Sequence, residues 1–128
     1  MKLIKQKDTT GCGLACVAMI TGQTYNQVKR KYLPAPRLEK LNILGEYYTD
    51  AKDLHNLSKN IAPKMISVKY WETIPNFAIV ALGKRKDKSW HWVVFQRKNS
   101  IPVFYDPIYN KIRTDFGRVN LKAYVPIS

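Results

Sequence analysis

Acidic residues are scarce in this chain. Nine aspartates and glutamates stand against 22 lysines and arginines, a formal net charge of +13 over 128 residues. Such an excess speeds encounter with acidic partners without naming one. Cysteine is scarcer still, and Cys12 and Cys16 found no disulfide framework. Four residues apart on a helix, their side-chain vectors disfavour a bridge, so free thiols and a reducing compartment are expected. Long apolar runs are missing. The longest, Leu14 to Ile20, is seven residues, against about 20 for a bilayer span. With Asp8 before it and no small-residue cleavage pattern after it, the run does not read as a secretory core. No phosphate-binding glycine loop, internal repeat or low-complexity segment occurs. The expectation is one soluble domain spanning residues 1–128, cytoplasmic unless another system delivers it.

What the chain does have changes character midway. The first half reads helical: Cys12 to Thr21 is apolar and rich in small residues, with Gly22 placed to stop it. Thr24 and Gln27 have capping-box spacing and open a second helix to Tyr32. Leu33-Pro34-Ala35-Pro36 forces an extended connection. A third helix is expected over Asp50 to Asn60, with Thr49 as its N-cap. The second half moves to short β-branched and aromatic runs: Met65–Val68, Phe77–Leu82, Trp90–Gln96, Ile101–Tyr105 and Lys122–Val125. Helices followed by a mostly antiparallel sheet indicate an α+β fold.

Cys12 lies between Gly11 and Gly13 at the expected start of the first helix. Unpaired backbone N–H groups and the positive dipole end there stabilise a thiolate, which is the nucleophilic form. Cys16, one turn on among Leu14, Ala15, Val17 and Ala18, reads as core. A base must come from two histidines. His55 sits among Asp53, Asn56 and Lys59 on the third helix, where a solvated or capping role suits it. His91 lies on a strand and shares a face with Val93 and Phe95, while Trp90, Trp92 and Val94 point the other way. A hairpin closed at Lys98-Asn99 pairs Val93 with Phe104, Phe95 with Pro102 and His91 with Asp106. Opposed residues have Cβ atoms about 4.5–5.5 Å apart, within reach of a histidine–carboxylate hydrogen bond. Asp106 would then orient the imidazole. Gln6, six residues before Cys12, offers an amide donor for an oxyanion, and the Cys12 N–H offers a second.

Gln6-Lys7-Asp8-Thr9-Thr10-Gly11-Cys12-Gly13-Leu14-Ala15, then His91-Trp92-Val93-Val94, then Tyr105-Asp106-Pro107 together resemble the C39 peptidases of the papain-like cysteine protease superfamily. These are bacterial domains known chiefly from bacteriocin exporters, where they cleave leader peptides after Gly-Gly. The resemblance implies a papain-like fold, with Cys12 as nucleophile, His91 as general base, Asp106 as its orienting acid and Gln6 as oxyanion donor. It implies no cofactor. Two departures stand out. Gly11 precedes the nucleophile where many members carry an acidic or amide residue, and no transporter segments follow, so the double-glycine substrate is not inherited.

Three functions remain open on these residues. The first is a stand-alone thiol peptidase acting on a protein or peptide, with glycine-rich or isopeptide bonds as candidates. The second keeps the triad but changes the acceptor: an amidase, deamidase or transferase, acting as a toxin or effector. The third is a non-catalytic basic module that binds an acidic partner protein or nucleic acid. Nucleic acid is the less favoured partner, because most aromatics fall where burial is expected. A zinc site from Cys12, Cys16, His55 and His91 has poor ligand spacing.

Overall fold

The computed structural model describes residues 1–8, 10–32, 49–83 and 90–128. The Leu33-Pro34-Ala35-Pro36 connection and the basic 84–88 run lie outside them. Helix α1 covers Cys12–Thr21 and α2 covers Tyr25–Tyr32. Gly22 closes α1 in the left-handed region, φ 73°, and its N–H donates to Ala18 O. The Thr24–Gln27 capping box forms in both directions, at 3.1 and 2.9 Å. The third helix, α3, is shorter than expected, Ala51–Leu57, and its cap is Asp50 rather than Thr49. Asp50 and Asp53 satisfy each other's backbone N–H groups, leaving Thr49 no cap to make. Ser58 adopts extended backbone, φ −151°, and ends the helix before Asn60.

Six strands follow among the described residues: β1 Ile66–Ser67, β2 Phe77–Gly83, β3 Trp90–Lys98, β4 Ile101–Asp106, β5 Lys111–Arg113 and β6 Leu121–Pro126. They form one antiparallel sheet in the order β1-β6-β2-β3-β4-β5. The fold is α+β. Strands β2 and β3 lie in the middle and are covered on both sides, which is why Ala78 to Leu82 is an unbroken apolar run. One face, with Ile79, Ala81, Trp92 and Val94, packs under α1. The small residues of that helix permit close approach. A Cβ on Gly13 would strike Thr49 Oγ1 and lie 3.1 Å from Leu54 Cδ2. The opposite face, with Val80, Val93, Phe95 and Phe104, is roofed by Trp71 and Phe116, whose rings are 4.7 Å apart.

The hairpin β3–β4 turns at Asn99-Ser100, one residue later than expected, pairing Lys98 with Ile101 and Phe95 with Phe104. Both turn residues take positive φ, 53° and 65°. Asparagine tolerates that conformation better than a lysine at the first turn position would. Sliding the turn by one residue moves every pairing by two, so the faces are kept while His91 and Asp106 become diagonal neighbours instead of opposed ones.

Candidate active site

Strands β3 and β4 part where Cys12 meets the sheet. The β3–β4 ladder stops at Val94 and Tyr105, although β3 continues back to Trp90. In that gap the Trp92 N–H, which points in the sheet plane toward its neighbour, donates to Cys12 Sγ at 3.4 Å. The start of α1 is thereby wedged into the splayed end of the hairpin. The preceding segment is tied down on the same side: Gln6 N–H donates to Pro107 O at 3.0 Å, and Gly11 N–H closes a turn on Asp8 O at 3.0 Å. Asp8 is gripped from α2 by the Tyr25 hydroxyl at 2.7 Å and Lys29 Nζ at 3.1 Å. Gly11 is explained by that grip, since any Cβ there would run into the Tyr25 hydroxyl. On the other flank Trp92 Nε1 donates to Thr49 O at 2.9 Å.

His91 Nε2 donates to Asp106 Oδ1 at 2.8 Å. That bond assigns the tautomer: in the neutral ring Nδ1 is the basic nitrogen. Nδ1 is buried and, among the described residues, has no hydrogen-bond partner in good geometry, and Cys12 acts on the ring through a side-chain interaction and its charge. Burial pulls the His91 pKa down, but the hydrogen bonds and charges of Asp106 and Cys12 outweigh it and raise the pKa to about 9. Asp106 is fully buried. Burial would push its carboxyl up; the hydrogen bond and charge of His91, then Arg113, hold it below the ordinary carboxylate range. Cys12 and Cys16 are both buried free thiols. Complete burial raises Cys16 well above an ordinary thiol, with Cys12 and Asp106 adding to the effect.

The structure therefore brings together Cys12, His91 and Asp106, while Gln6 is held by its backbone against Pro107, the residue after Asp106. The Gln6 carboxamide Nε2 donates to Asp8 O at 2.9 Å. The N-cap residue of α1 is Gly11, which has no side chain to cap with, and the first turn of a helix presents backbone N–H groups that suit an oxyanion. His55 is elsewhere, its Nδ1 at 2.6 Å from Ile61 O, where it pins the end of α3. Among the described residues no cluster of histidine, cysteine and acid could hold a metal ion, and no helix is long and apolar enough to cross a membrane.

Sequence reasoning missed one member of this cluster. Arg113, on the three-residue strand β5, donates from Nη1 to Asp106 Oδ2 at 2.9 Å. Its Nε and Nη2 form a fork on Asp115 at 2.9 and 2.6 Å. The guanidinium lies over Phe104 and Tyr109, at 5.2 and 5.6 Å from the ring centroids. The sequence signal for this strand is faint: Asn110, at φ 53°, followed by one alternation of charged and apolar residues.

Comparison with known protein families finds no family model that matches the chain, and a search of curated proteins finds no match.

Proposed function

We propose that this protein is a papain-like, C39-like cysteine peptidase. The observation that carries the reading is the His91 ring, held by Asp106 through Nε2 and left with Nδ1 for Cys12 at the start of α1. In that arrangement Nδ1 takes the Cys12 proton, and the thiolate attacks a peptide carbonyl. The Trp92 N–H donates to Sγ and holds the sulfur at the mouth of the hairpin. The developing oxyanion is met by the Cys12 N–H and by the Gln6 amide, which turns from Asp8 O to reach it. Each such donor lowers the barrier by about 2.7–4 kcal/mol. The imidazolium then gives its proton to the leaving amine, and a thioester remains on Cys12. Water attacks the thioester as Nδ1 takes its proton; the C–S bond breaks, and Cys12 is restored. Asp106 stays ionised throughout and orients the ring.

An amidase, deamidase or transferase would use the same thioester and differ only in the bond opened or the acceptor. The net charge of +13 favours substrates or partners that carry acidic surface. The test is incubation with a mixed peptide library rich in acidic and glycine-containing sequences, followed by mass spectrometry. New termini absent from a Cys12→Ala control are expected. A mass gain of about 1 Da on glutamine without cleavage would replace peptidase by deamidase. No change of any kind against Cys12→Ala would remove the catalytic reading.

A further inference from the structure

Arg113 has no part in the steps above, yet the fold commits a buried contact to it. The fully buried Asp106 carboxylate serves two cationic groups at once. Oδ1 accepts from His91 Nε2 and from the Ile108 N–H at 3.0 Å, while Oδ2 accepts from Arg113. A buried carboxylate facing an imidazole alone would hold the imidazolium tightly. Such a ring protonates the leaving group poorly and takes a proton from water only at high pH, whereas a base works best with its pKa near the working pH. A second cation on the same carboxylate opposes the imidazolium, and it keeps the carboxylate ionised while the imidazole is neutral.

We propose that Arg113 is a positioning residue that sets the strength of His91 as a base by sharing the Asp106 carboxylate with it. This rests on the peptidase reading of Cys12 and His91. Asp115 is the counterweight: its fork on Arg113 draws part of that positive charge away from Asp106. Among the described residues, the titratable and charged groups around the pair are Cys12 and the buried Cys16 from α1, Asp106 from β4, Lys111 and Arg113 from β5, and Asp115 just beyond. Lys111 is the register partner of Asp106 but is exposed. On β2 the residue paired with His91 is Leu82, which carries no charge. Asp8, on the N-terminal segment, is engaged by Tyr25 and Lys29.

The sign of the effect separates tuning from scaffolding. If Arg113 only held Asp106 in place, its loss would loosen the His91–Asp106 bond and lower the histidine pKa toward its free value. If it shares the charge, its loss raises that pKa. The experiment is a proton NMR titration of the His91 Cε1–H in a Cys12→Ala background, which removes the coupled thiol. His55, the other histidine of the chain, is assigned with His55→Gln. Arg113→Gln, which can still donate to Asp106, is expected to shift the His91 midpoint upward by about one pH unit. Arg113→Lys keeps the charge and should stay within roughly 0.3 of the parent. Asp115→Asn, at a side chain 39% exposed, should fold whatever Arg113→Gln does and should shift the midpoint the opposite way, by roughly 0.3. A midpoint that falls or stays put in Arg113→Gln overturns the proposal; should that variant not fold, an unmoved or raised midpoint in Asp115→Asn does so. The underlying reading is checked separately by alkylation of the otherwise native protein. Cys12 labelled no faster than Cys16 would defeat both, whereas selective Cys12 labelling with an unmoved histidine would defeat the Arg113 proposal alone.

Discussion

At the scale of single residues, the site depends on where hydrogen and charge are placed. Asp106 accepts from three donors on two oxygens. Asp106→Asn would present one oxygen and one NH2 to donors that all require an acceptor. Loss on the order of 10²–10⁴ in turnover is expected, with the protein still folded, measured against the best peptide from the library. The glycines flanking Cys12 are equally constrained, for reasons of space. Gly13→Ala would force Thr49 and Leu54 away from α1, costing about 1–3 kcal/mol in denaturant unfolding. These packing partners explain the glycine before Cys12, which the sequence displays but cannot account for. The Tyr25 hydroxyl occupies the space, and Tyr25 lies 14 residues further along the chain.

Among the elements, the helices with strong end signals were readable and the hairpins only partly so. Cys12–Thr21 and Tyr25–Tyr32 carry their stop glycine and capping box in the sequence. Thr49, Asp50 and Asp53 offer two competing registers for the α3 cap, and reciprocal bonding by two carboxylates decides for Asp50. Asp50→Ala is expected to cost about 1 kcal/mol, read from the shift in the denaturant midpoint. The β3–β4 turn falls one residue later than the sequence predicts. A slip that preserves parity keeps side chains on their faces, so the His91–Asp106 contact survived an incorrect pairing. Strand β5 could not survive such reasoning. At three residues, mostly exposed, it offers no periodicity, and Arg113 was invisible with it.

For the whole molecule, the buried ion pairs make stability depend on pH. The His91 pKa rises from an ordinary 6.5 to about 9 on folding, so its contribution is complete below about pH 6.5 and is lost as the pH climbs toward 9. Asp106 is shifted the other way; its contribution is present above the ordinary carboxylate range and is lost as acid titrates the folded carboxyl. The melting temperature should therefore be highest between these limits and fall on the alkaline side. In His91→Gln the alkaline fall should be much smaller, as thermal scans across pH will show. The net charge of +13 acts at this scale too. Binding to an acidic partner should weaken with added salt, because surface attraction is screened within about 8–10 Å at moderate ionic strength.

If Cys12 and His91 form a working nucleophile and base, alkylation of the native protein will show it. Iodoacetamide labelling is followed from about pH 5 to about pH 9, with each cysteine assigned by mass spectrometry. Cys12 should label selectively near neutral pH, Cys16 should stay protected by its burial, and His91→Ala should slow Cys12 while His55→Ala leaves it unchanged. Slow labelling of both cysteines at equal rates, indifferent to His91, would mean that Cys12 and His91 do not act as a pair.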